Sequence, residues 1–287
     1  MFRYGFVAFC AFSIVVPASG WAYEIKPKTP EAAFSGKLLP DILGLSSNTE
    51  GSKAAPVFEA YLKDLPGVKP ETAQQKFGGT NVTYVTAMKF TLLPTATHPG
   101  ESMLAVFSSP ASANRAYYIA RTLGFASDRQ PSKAEMIERV TAKYGAPTAI
   151  GDGRMYYFYK AGKLMSVKQK YTPATALEAL NAPINPKIAV ALNDANGRGS
   201  CVAELKRVQA LEKTLDKLVN EAKAANCDGL VTVEIIPGIT QDRVSKTEFT
   251  LVDFKQIVSA AKIDADAFAA EKNEALNKTP LGNAPKL

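Results

Sequence analysis

Residues Ser132 to Lys170 read SKAEMIERVTAKYGAPTAIGDGRMYYFYKAGKLMSVKQK, and they hold a helix followed by two strands. Ser132 and Glu135 have capping-box spacing, and Met136, Ile137, Val140 and Tyr144 recur at helical intervals. Gly145 and Pro147 then supply a stop, so a helix is predicted over 132–144. Met155–Lys160 and Lys163–Lys170 are rich in strand formers around Ala161-Gly162, a two-residue hairpin signal. One amphipathic helix beside a hairpin is the unit of an α+β fold, with an antiparallel sheet packed against a helix.

The same reading extends in both directions. Upstream, Ala54–Lys63 carries a helical stripe, and 82–92, 102–107 and 115–123 read as strands. Downstream, 173–186 holds three prolines and reads as a linker. Beyond it come an apolar strand at 187–193 and a turn at 195–199. Strands at 230–236 and 244–252 flank a turn at Pro237-Gly238, and a last helix is capped by Asp253 and Gln256.

The segment from Cys201 to Asn226 allows two readings. A single helix follows the spacing of its apolar residues, but it would separate its ends by about 37 Å. A disulfide between Cys201 and Cys227 tolerates only about 7 Å between α-carbons. A strand at 201–208 followed by a helix at 209–226 brings the two cysteines together, so that reading is preferred and the pair is expected to be bonded.

The expected fold class is therefore α+β, with antiparallel sheets each packed against a helix. Both halves then show the order strand-strand-helix-strand-strand, for which duplication is one explanation. The expected division is a signal peptide at 1–22, a poorly ordered lead-in at 23–53 and a first subdomain at 54–172. The linker 173–186, a second subdomain at 187–263 and a C-terminal helix and tail at 264–287 follow.

The leader reading rests on Arg3, an uncharged apolar run from Gly5 to Val16, Pro17, and the small residues Gly20 and Ala22 before Tyr23. Such a run is too short for a spanning helix of about 20 residues. The expected location is thus periplasmic or secreted, with no membrane span after cleavage. Removing the leader takes Arg3 alone from the charged residues, leaving 33 basic against 27 acidic side chains. The basic residues are dispersed, which argues against a nucleic-acid tract and leaves an anionic envelope polymer or an envelope protein as the expected partner.

Several chemistries lack their residues. His98 is the only histidine and lies in a Pro- and Thr-rich connector, read as a solvated loop. With Cys201 and Cys227 the other soft ligands, no zinc cluster is expected. Neither GxGxxG, GxxxxGK[ST] nor GxSxG occurs, so no cofactor is expected. The carboxylate pairs Glu135/Glu138 and Asp264/Asp266 read as solvated helix faces.

Arg115 to Pro147, ending in Lys143-Tyr144-Gly145-Ala146-Pro147, resembles uncharacterised exported proteins of proteobacteria. In those, an Asp-Ile-x-Gly element like Asp41-Ile42-Leu43-Gly44 precedes a strand-rich module. They carry a Gly-Met pair where this chain has Ser46-Ser47-Asn48. The resemblance implies export and the fold class, and no activity.

The candidate site is aromatic. Along a strand, Met155, Tyr157 and Tyr159 face one way and Tyr156, Phe158 and Lys160 the other. One of these faces, enlarged by Tyr117 or Tyr118, is a candidate exposed binding surface. Arg115, Tyr117 and Arg121 are expected to share a strand face as an anion clamp. The expected function is noncatalytic binding of a partner or envelope component, with a carboxylate-dependent hydrolase of envelope material as the alternative.

Overall fold

The computed structural model describes residues 23–34, 39–65, 68–95, 98–165, 171–184 and 201–278. The helix read first forms as expected at Lys133–Tyr144. The Ser132 hydroxyl accepts from the Glu135 N–H at 3.2 Å, and the Glu135 carboxylate accepts from the Ser132 N–H at 2.8 Å. Gly145, at φ +84°, ends it. Both hairpin turns that follow place two residues in the left-handed region: Asp152-Gly153, and Ala161-Gly162.

The strands are β1 (Glu71–Lys76), β2 (Thr83–Leu92), β3 (Glu101–Phe107), β4 (Ala116–Gly124), β5 (Ala149–Gly151), β6 (Arg154–Lys160), β7 (Lys163–Leu164), β8 (Gly229–Pro237) and β9 (Val244–Asp253). They form one antiparallel sheet in the order β1, β2, β3, β4, β9, β8, β6, β5, with β7 beside β6. The fold is α+β. Residues 54–172 and 187–263, read as separate subdomains, contribute interleaved strands to this single sheet: β4 pairs with β9, and β6 with β8.

Helices cover both faces. On one side α1 (Gly51–Leu62), α2 (Lys133–Tyr144) and α3 (Pro173–Asn181) bury Phe58, Ile137 and Leu180 against Phe90, Met103, Tyr157 and Val233. On the other, α4 (Cys201–Ala210), α5 (Leu215–Ala224) and α6 (Phe254–Lys278) bury Leu205, Leu218 and Ile257 against Val106, Tyr156, Phe158 and Val252.

Two expectations are corrected here, and the expected pairing of the cysteines is met. Residues 201–208 are helical, so the second half does not repeat the strand order of the first. The chain breaks at 211–214 and returns as α5, and two antiparallel helices of ten residues close the same distance that a strand and a helix would have closed. Cys201 and Cys227 are paired, with α-carbons 5.8 Å apart. Residues 173–181 of the expected linker form α3, because Pro173 sits at the helix start and Thr172 caps it in a box with Thr175.

The lead-in is also tied down rather than loose. Asp253, the cap of α6, accepts from the N–H groups of Gln256 at 2.8 Å and Ala33 at 3.0 Å. Phe34 packs edge-on against Tyr159, and Ile42 and Leu45 are buried. The two motifs that carry the resemblance touch: Lys143 Nζ lies 3.0 Å from Asp41 Oδ1, and the Tyr144 hydroxyl donates to the Asp41 carbonyl at 2.8 Å. Finally, the C-terminal segment remains helical to Lys278, with Phe268 stacked on Phe77. The expected leader at 1–22, the strand and turn at 187–199 and the tail at 279–287 lie outside the described residues.

Candidate functional site

The aromatic hairpin does not form an exposed surface. Its alternation is as read, but each face meets a helical layer, and Tyr156, Tyr157, Phe158 and Tyr159 are all buried. Tyr117 and Tyr118 are buried as well. Burial raises the phenol of Tyr117 far above its ordinary range and pushes that of Tyr118 up to about 12.

The arginine clamp is absent for a different reason. A register shift between Val106 and Phe107 leaves Tyr117 as the extra residue of a bulge, so Tyr117 turns to the α4–α6 layer while Ile119 packs in the opposite one. Arg121 is engaged by the Glu101 carboxylate at 2.7 Å and by the Tyr61 hydroxyl at 2.9 Å, and that hydroxyl donates to Glu101 at 2.6 Å. Arg115 pairs with Glu50 at 3.0 Å and donates to the Asn48 carbonyl. Both guanidiniums are spent inside the protein.

What the sequence did not reveal is a cleft of about 690 Å³ between the β1–β4 end of the sheet and α6. Tyr84, Leu104, Val106 and Tyr117 line it from the sheet, Glu212 to Thr214 from the α4–α5 turn, Leu215 and Asp216 from the start of α5, and Ala261, Asp264, Ala265 and Phe268 from α6. Its origin is the size of the facing residues. Ala261 and Ala265, four apart on one helix face, stand opposite Thr86 and Ala87 and leave space unfilled. Toward the far end of the helix Phe268 stacks on Phe77 at 4.4 Å. At the near end the Tyr117 hydroxyl donates to the Lys213 carbonyl at 2.7 Å and holds the α4–α5 turn in place.

Asp264, read as a solvated helix residue, is buried. Its carboxylate accepts from the hydroxyls of Ser109 at 2.7 Å and Ser112 at 2.6 Å, and from the Ser109 N–H at 3.3 Å. Burial raises its pKa above the ordinary aspartate value despite these donors. His98, in the β2–β3 connection, is not among the residues that line the cleft. The three contacts anchor the short turn Pro110–Ser112 to α6.

Among the described residues, no three His, Cys, Asp or Glu side chains converge to hold a metal, and no helix is long and apolar enough to cross a membrane. The fold defines a two-faced antiparallel sheet between helical layers, with an amphipathic cleft at its β1 end. No family model, curated protein or solved structure matches the chain.

Proposed function

We propose that this is an exported, noncatalytic binding protein whose site is the cleft beneath α6. The observation that carries the reading is the cleft itself: a space of about 690 Å³ with aromatic and aliphatic walls and carboxylates in its lining. Sites of this size with apolar walls and a few polar groups are what small amphipathic ligands occupy. Export is supported by the paired cysteines, which persist in oxidising compartments. An envelope component with an acyl or aromatic body suits such a site better than the anionic polymer expected from net charge.

The alternative, a carboxylate-dependent hydrolase, has Asp264 and Asp216 lining one cleft in its favour. Against it stand the three donors already directed at Asp264.

Calorimetric titration with a neutral alkyl glycoside, decyl maltoside below its micelle threshold, tests the binding reading. The expected result is saturable binding that is lost in Ala265→Trp, a substitution at an exposed position that fills the cleft without touching the core. Equal binding by the variant, or none by the parent, defeats it.

A further inference from the structure

We infer that the cleft selects amphipathic cations: ligands whose apolar body enters between α6 and the sheet and whose ammonium or guanidinium group stays at the rim. This rests on the reading of the cleft as the binding site. The chain carries a net charge of +7, so an average concave surface on it would be basic. The lining of this cleft is not: Glu212, Asp216 and the buried Asp264, which Ser109 and Ser112 already engage, line it against a single lining cation, Lys213.

That lysine is turned away from any ligand. Its ammonium donates back to the carbonyls of Gln209, at 3.0 Å, and Leu211, and lies 5.3 Å from the centre of the Tyr118 ring. Asp216 is stabilised as the anion by the Thr214 hydroxyl, and its exposed ion pair with Lys217, at 3.8 Å, offsets only part of its charge. A concave, partly apolar site whose lining carries an excess of one sign of charge focuses its field on ligands of the opposite sign. The rings of Tyr84 and Tyr117 in the walls add surfaces that favour a cation over an anion.

Three probes with the same decyl chain separate the possibilities: decyltrimethylammonium, decyl maltoside and decyl sulfate, each titrated below its micelle threshold. The expected order is cation, neutral, anion, with the cation roughly tenfold tighter than the glycoside at low salt. The double variant Glu212→Gln/Asp216→Asn should lose most of that preference while keeping its affinity for the glycoside. If all three probes bind alike, or the sulfate binds best, the charge selection is wrong and the cleft remains a binding site. A preference undiminished in the double variant also overturns the assignment to these residues. If no probe binds, the reading of the cleft falls and the selection falls with it.

Discussion

Reduction of the Cys201–Cys227 pair should lower the melting temperature by roughly 7–14 °C. The two cysteines are separated by 26 residues, most of them in α4 and α5. In the chain-entropy treatment, closing a loop of that length stabilises the folded state by about 3.5 kcal/mol. For a chain of this size each kcal/mol moves the melting temperature by about 2–4 °C. Both cysteines pack beside Leu205, Leu218 and Leu230, so replacing them with Ala also removes buried sulfur. The reduced parent avoids that complication, and the double variant Cys201→Ala/Cys227→Ala should melt at or slightly below it. Calorimetry of oxidised parent, reduced parent and variant is the assay, with far-UV circular dichroism unchanged at low temperature. If the reduced parent melts within about 1 °C of the oxidised one, the entropic reasoning fails. Two alkylatable thiols in the unreduced protein would contradict the pairing itself.

Gly229→Ala should cost about 1–3 kcal/mol, because a β-carbon there would meet Ala33 Cβ at 2.8 Å and Phe34 Cζ at 2.9 Å. Urea denaturation measures the loss, and limited proteolysis should cut between residues 23 and 50 sooner. Arg121→Met should cost about 3 kcal/mol, since Glu101, whose side chain is 3% exposed, would keep Tyr61 as its hydroxyl donor and lose its cation. Adding Glu101→Gln should recover part of that loss in a double-mutant cycle. Asp253 is fully buried, and desolvation pushes its carboxyl up to about 6 from 3.8. Its folded value lies above its unfolded one, so the stability it contributes is complete below about pH 4 and lost as pH rises through about 6. The stability of the parent relative to Asp253→Asn should therefore fall across that window by up to about 3 kcal/mol. A difference that is flat in pH would refute this.

The elements that could be read from sequence were those whose signals are local. The Ser132 capping box, the Asp253 cap and the strands near 82–92, 230–236 and 244–252 fall within a residue or two of their observed bounds. The misreading at 201–208 came from a closure argument that weighed one helix against strand plus helix. Thr214 and Asp216, a helix start inside the apolar period, were the signal for a break. Thr172 before Pro173 was a similar start signal, outweighed by the prolines around it. Asp152-Gly153, which closes the β5–β6 hairpin, was a turn signal left unused. Burial on both faces of β6 was not readable, because the second face is covered by α4 and α5, which arrive from a distant part of the chain. Nor was the cleft, which depends on where the small residues Ala261 and Ala265 meet Thr86 and Ala87.

The most direct measurement is an amide chemical-shift map of the isotope-labelled protein with and without decyltrimethylammonium. Shifts gathered at Gln75, Tyr84, Val106, Leu215 and Ala265, which line the cleft from three strands and two helices, are the expected result. Shifts gathered instead on the α1–α3 layer, or no saturable shifts at all, would contradict the placement of the binding site beneath α6.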